Sequence, residues 1–320
     1  MDWPEKLRPA LAFQTWENPQ PSFILLPFEY LATADASGGI TPRHCDHLPA
    51  ILLMAEFCAV ADDTIDRAPS RSGRETFTAK FGDASAVPMA SALASSVFFH
   101  SRQDAKLLDA AAAFFIEFAG LELWERENVY PAARLFGPWI ENRYLQATVA
   151  HEYALNCARL ISGAPAWPRE AVQKFAMVGQ DVDDIVNLAE YRASDGENDD
   201  LQSGVVTRPL ILAVEDAPRL AFEVSALWDH YRPLSALQLP IAELERERAE
   251  VLEKALPLYT HIRKVILERG VPRSVKQSLT DFRTAVRESP APLQPLMREL
   301  TAAFLDRLRR CRYVDVDELA

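Results

Sequence analysis

The sequence predicts an all-α fold. Hydrophobic residues fill 49% of its 320 positions, only 11 positions are glycine, and the alternating β-branched runs that mark strands are nearly absent. The length can bury a substantial core and accommodates one large domain or two. We expect a single domain over residues 1–320, with an irregular N-terminal segment over 1–40.

Residues 1 to 45 are proline-rich (Pro4, Pro9, Pro19, Pro21, Pro27, Pro42) and predict short helices joined by turns, with Phe23 to Phe28 as an apolar run broken by Pro27. Thr41-Pro42 opens a long helix towards Asp66, because proline is favoured in the first helical position after a Ser/Thr cap. Pro69 to Gly73 reads as a loop, followed by helices over Glu75 to Gly82 and Val87 to His100. Ala105 to Glu127 is apolar on most sides, as in the middle of a bundle, and Ala133 to Ser162 continues to a stop at Gly163-Ala164-Pro165. A further helix carries Ala171 to Asn187 and gives way in the polar stretch Ser194 to Asp200, a candidate lid. Residues 241 to 254 alternate charges as a solvated helix does.

Two acidic segments stand out, Asp62-Asp63-Thr64-Ile65-Asp66 and Asp183-Asp184-Ile185-Val186-Asn187. On helices, Asp62 and Asp66 share a face, as do Asp183 and Asn187, because residues four apart are neighbours. A single Asp-Asp pair is an ordinary solvated helix face. Two such segments, each ending an apolar run, are costly unless a cation or hydrogen bonds compensate them. Magnesium suits them: it takes oxygen ligands, keeps several waters and is shared between carboxylates and substrate phosphates. The expected metal ligands are Asp62, Asp63, Asp66, Asp183, Asp184 and Asn187, and the implied substrate is a diphosphate.

The formal net charge of −12 argues against nucleic acid as a partner. Cys45, Cys58, Cys157 and Cys311 are too scattered for a disulfide framework or a zinc site, and the six histidines lack zinc spacing. No stretch approaches 18 uninterrupted apolar residues, and Met1-Asp2-Trp3-Pro4 does not begin a basic leader, so the expectation is a cytoplasmic protein without a transmembrane segment. Phe57 and Cys58 lie about one turn before Asp62 and are expected to floor the space beneath the first segment.

The order of these motifs resembles the trans-prenyl diphosphate synthase superfamily and its terpene synthase relatives. Arg71-Ser72-Gly73, Thr76 and Phe81-Gly82 are similar to that superfamily's Arg-Arg-Gly-x-x-Thr…Phe-Gly. Gln180 to Asp184 resembles its second aspartate motif, and Asp200-Leu201-Gln202-Ser203-Gly204-Val205-Val206-Thr207-Arg208-Pro209 resembles the Asp-Leu-x-x-Gly-Lys-x-Thr-x-Pro that follows. The resemblance implies a helical bundle around a deep apolar cavity and three magnesium ions gripping an allylic prenyl diphosphate. It also implies Asp62, Asp66 and Arg71 in catalysis, Arg71, Phe57, Cys58 and Gln180 against substrate, and a homodimer as in many of its members. Arg312-Tyr313 resembles an Arg-Tyr pair that contacts diphosphate in bacterial terpene synthases.

Departures shape the functional expectation. Ser72 and Val205 stand where the superfamily has Arg and Lys, and Gln146-Ala147 or His151-Glu152 where it has Lys-Thr; Arg208 is a candidate replacement for one lost charge. The pocket for isopentenyl diphosphate therefore reads as dismantled. The leading expectation is ionisation of farnesyl or geranylgeranyl diphosphate with cation rearrangement, as in a terpene synthase. The alternative is a prenyltransferase delivering the cation to isopentenyl diphosphate or to a non-isoprenoid acceptor.

Overall fold

In the computed structural model, the described residues are 8–14, 22–71, 73–131, 136–190, 199–289, 291 and 294–310. They form α1 (Arg8–Ala12), α2 (Ser22–Ala36), α3 (Pro42–Asp66), the two-residue strands β1 (Ser70–Arg71) and β2 (Arg74–Glu75), α4 (Phe77–Phe81), α5 (Asp83–Ser101) and α6 (Ala105–Asn128). There follow α7 (Phe136–Ser162), α8 (Arg169–Glu190), α9 (Asp200–Ser203), α10 (Arg208–Asp216), α11 (Leu220–Ser235), α12 (Ile241–Val265), a π-helical turn (Ile266–Gly270), α13 (Val271–Glu288) and α14 (Gln294–Arg310). The all-α expectation holds.

Local chemistry explains the ends of α3. Pro42 sits in its first turn, and the Thr41 amide donates to His44 Nδ1 at 3.0 Å, satisfying a donor that a helix start leaves open. At the other end Arg67 adopts the left-handed conformation (φ 53°) and its amide donates to the Asp63 carbonyl, which stops the helix beside the acidic segment. Residues 22–36, expected to be irregular, instead form the continuous helix α2 with Pro27 inside it. Tertiary anchoring overrides the proline: Tyr30 and Ala34 are fully buried, and Tyr30 donates from its hydroxyl to the His44 carbonyl at 3.0 Å.

The chain divides into two compact units. The first comprises Met1–Glu122, Val149–Arg169 and Pro290–Leu293. Within it α3 packs on α2 and α5, and α4 on α5, around Ile51, Met54, Val60, Phe77, Met89 and Leu93. Two histidines tie elements of this unit together: His44 Nε2 lies 3.0 Å from Ser162 Oγ, and His151 Nδ1 lies 2.7 Å from Glu29 Oε2.

The second unit comprises Leu123–Thr148, Glu170–Ser289 and Gln294–Ala320. Its core joins Trp139, Val182, Ile185, Leu227, Trp228, Tyr231, Ile262 and Val275. Gly270 is required there, since a Cβ would stand 1.9 Å from the Pro209 carbonyl oxygen where the π turn packs on α10. Gly204 (φ 74°) ends α9 in the left-handed region, and a Cβ on it would stand 2.4 Å from the Tyr130 ring. Among the described residues, no helix is long and apolar enough to cross a membrane.

Candidate functional site

Each unit carries one acidic segment. In the first, α3 presents Asp62 and Asp66 towards solvent while Asp63, between them, turns inward and is buried. The stretch expected to be a loop after α3 folds back as a small antiparallel hairpin, pairing Ser70 with Glu75 and Arg71 with Arg74, with Gly73 at φ 72° in its turn. The hairpin returns Arg71 to the helix end. Its Nε donates to Asp63 Oδ1 at 2.7 Å, and its Nη2 donates to Asp62 Oδ2. Burial pushes the Asp63 carboxyl up to about 6, with Arg71 pulling the other way.

The hairpin's position is fixed from below. Thr76 caps α4 by accepting from the Ala79 amide, and its hydroxyl donates to the Ala68 carbonyl at 2.6 Å. One helical turn back along α3, Phe57 meets Phe115 edge-on at 4.8 Å and Phe118 at 5.3 Å. Phe98, Phe114 and Tyr153 extend this aromatic bed. The Cys58 thiol lies 3.7 Å from the Met54 sulfur and is pushed up by burial, so it serves as an apolar filler rather than a nucleophile.

In the second unit, α8 repeats the pattern of one inward and one outward aspartate. Asp183 is exposed and lies 3.1 Å from Arg307 Nη1 on α14. Asp184 is buried; its Oδ1 accepts from Arg143 Nη2 of α7 and from Gln180 Nε2, both at 2.7 Å. Arg143 also reaches Glu125 of α6 at 3.6 Å. The Asn187 amide oxygen accepts from the Asp200 amide at 3.5 Å. Burial and the neighbouring Asp184 push the Asp200 carboxyl well up, against Arg143.

One turn earlier on α8, Asp181 belongs to a separate buried knot. Arg208 Nη1 lies 2.8 Å from Asp181 Oδ2 and 2.9 Å from Asp281 Oδ2, and its Nη2 donates to the Tyr144 hydroxyl. Ser278 also donates to Asp181. Arg208 is 3% exposed, so the cation expected to replace a lost charge at the substrate is already held by two carboxylates. Gln180 faces Asp184 through its own hydrogen bond. Val205, in the place of a lysine, is buried.

Thus the structure brings Arg71 onto Asp62 and Asp63 in one unit, and Gln180 onto Asp184 in the other. Arg312 and Tyr313 lie outside the described residues, as do 194–198 of the expected lid; Asp199, from its edge, is a buried cap for α9. Among the described residues no three His, Cys, Asp or Glu side chains converge to hold a metal by themselves. Sequence reasoning missed Arg143 and Glu125. The usable signal was a polar stripe, Trp139, Asn142, Arg143 and Gln146, at helical spacing on α7.

Comparison with known proteins adds three findings. The sequence pattern of the polyprenyl synthetase family matches residues 23–226, which include both acidic segments. A curated relative, solanesyl-diphosphate synthase 2, chloroplastic, from Oryza sativa subsp. japonica, is 23% identical over 226 residues, or 68% of this chain and 53% of that protein. The chain thus spans about half the length of the curated relative it matches. Among solved structures, a decaprenyl diphosphate synthase from Rhodobacter capsulatus superposes with a TM-score of 0.68 at 18% identity, covering 96% of this chain and 93% of that one. A polyprenyl synthase from Caulobacter crescentus, complexed with calcium and isoprenyl diphosphate, gives 0.65 at 18% identity, covering 93% and 89%. At such identities these likenesses establish the fold.

Proposed function

This chain belongs to the polyprenyl synthetase family, and from that premise we propose that it ionises an allylic prenyl diphosphate with magnesium and transfers the prenyl cation to an acceptor. The observation that carries this reading is the pair of acidic helix segments, each with an inward aspartate held by a buried or half-buried arginine. The names of the relatives, solanesyl- and decaprenyl-diphosphate synthases and a polyprenyl synthase, support the transferase over the cyclase that the dismantled isopentenyl pocket favoured.

The donor set fits magnesium. Asp62, Asp66 and Asp183 offer hard oxygens towards solvent, Asn187 adds a half-buried amide oxygen one turn on, and Asp63 and Asp184 stand behind them. Since no three such side chains converge among the described residues, a metal held here would draw its remaining ligands from diphosphate and water. When bound, magnesium supplies Lewis-acid stabilisation of the departing diphosphate. Arg71 adds a fixed positive charge at the first segment, of the kind that stabilises charge developing on a leaving group. The rings of Phe57, Phe115 and Phe118 offer an apolar, cation-tolerant bed that limits prenyl length. Both expected catalytic aspartates, Asp62 and Asp66, keep their place in this reading.

A homodimer is part of the proposal. Ile116 is 75% exposed, and with the exposed Ala113 and Gly120 it lines one face of α6 in the first unit, an apolar stripe suited to a second copy. A cytosolic setting is supported by the free thiols of Cys45, Cys58 and Cys157.

The test is incubation of purified protein and magnesium with farnesyl or geranylgeranyl diphosphate, with and without isopentenyl diphosphate. A longer prenyl diphosphate formed only with both substrates is the expected outcome. A hydrocarbon or alcohol from the allylic substrate alone would restore the cyclase reading, and absence of diphosphate release would end both.

A further inference from the structure

The face of α7 opposite Asp184 holds an unusual set of buried polar atoms. Trp139, Asn142, Arg143 and Gln146 follow one another at helical spacing. Among the described residues, Trp139 Nε1, Asn142 Nδ2 and Arg143 Nε are donors without a hydrogen-bond partner. Gln146 Oε1 and Asp184 Oδ2 are acceptors in the same condition. Buried polar atoms are nearly always satisfied, so five on this stripe and the aspartate it faces point to something polar that belongs there. The charges are also unbalanced: Glu125, Asp184 and Asp200 all act on the single guanidinium of Arg143.

We propose that Arg143 is a substrate-binding residue with two alternative partners: Asp184 and Glu125 in the substrate-free protein, and a diphosphate when substrate is bound. A diphosphate offers only acceptors, which match the three donors on α7. Water molecules on an accompanying cation offer donors, which match Gln146 Oε1 and Asp184 Oδ2. In the substrate-free state the guanidinium holds Asp184 Oδ1 and withholds it from a metal. As Arg143 turns to diphosphate, Asp184 is released to support metal binding at Asp183 and Asn187. Metal and diphosphate therefore bind together, and neither binds well alone.

The inference rests on the proposed diphosphate chemistry, and the experiment separates the two. Inorganic pyrophosphate is titrated calorimetrically into full-length protein with magnesium, and manganese alone is titrated by electron paramagnetic resonance. Wild-type protein should bind pyrophosphate with magnesium and bind manganese alone weakly. R143Q should lose about tenfold or more in pyrophosphate affinity, the scale of one charge-assisted hydrogen bond, and should gain affinity for manganese alone. R143K, which keeps the charge, should fall between the two in both titrations and serves if R143Q does not fold. Wild-type protein that ignores pyrophosphate would defeat the parent reading. Wild-type binding with R143Q and R143K unchanged, or both titrations weakening in parallel with stability, would overturn the role of Arg143 alone.

Discussion

The two acidic segments carry nearly the same residues but are supported differently. At the first, the arginine arrives from a hairpin only eight and nine residues downstream and its side chain remains 31% exposed. At the second, the arginine comes from 41 residues upstream on another helix and meets a carboxylate that is 1% exposed. One segment is a local device assembled by a tight turn; the other rests on a long-range ion pair and lies one turn from the separate buried knot of Asp181, Arg208, Asp281 and Tyr144. Substitutions at the first segment should therefore read out mainly in chemistry, and those in the Arg208 knot beside the second mainly in stability.

The largest effect tests the chemistry. Asp62→Ala or Asp66→Ala should lower kcat for diphosphate release by about 100- to 1,000-fold, the scale of removing one preorganised charge-stabilising group. Their melting temperatures should stay near wild type, because both side chains lie towards solvent; a large drop in melting temperature would erase the contrast. Next, Arg208→Met leaves Asp181 and Asp281 buried without their cation and should cost about 3–5 kcal/mol in denaturant unfolding. A loss of activity at unchanged stability would instead place Arg208 at the substrate, as the sequence suggested.

A pH effect of intermediate size belongs to the first unit. Burial raises the Glu56 carboxyl to about 7 from 4.5, with Gln14 donating to it at 2.8 Å. Between these values the folded state binds more protons than the unfolded state, so stability falls as pH rises through that window. Glu56→Gln should remove that slope, worth roughly 2–3 kcal/mol across the interval, as measured by urea unfolding at several pH values. An identical slope in the variant would contradict the assignment. The smallest effect is at Phe57→Ala, which opens the aromatic bed under the first segment and should shift products towards longer prenyl chains with a modest change in rate; an unchanged product distribution would place the length limit elsewhere.

Much of this was legible in the sequence where the determining contacts are local. Thr41-Pro42 and the run to Asp66 mark α3 because capping and termination are decided within a turn of each end. Gly82 separates α4 from α5 because it sits at φ 79° between them, although α5 begins at Asp83 rather than at Val87. The hairpin was missed because two-residue strands carry no periodic signal. Arg143 was missed because nothing near it in sequence names its partner, and an arginine on a long helix is ordinarily a solvated side chain. The partners of Arg208 were hidden for the matching reason: its charge is visible in the sequence, but the two aspartates that occupy it come from 27 and 73 residues away in different helices.

The central claim is that both acidic segments serve one diphosphate reaction. The most direct measurement is magnesium-dependent diphosphate release from an allylic prenyl diphosphate by homogeneous wild-type protein, Asp62→Ala and Asp183→Ala. The account predicts release by wild type and its loss in both variants, with folding retained by circular dichroism. Release that survives either substitution would contradict it.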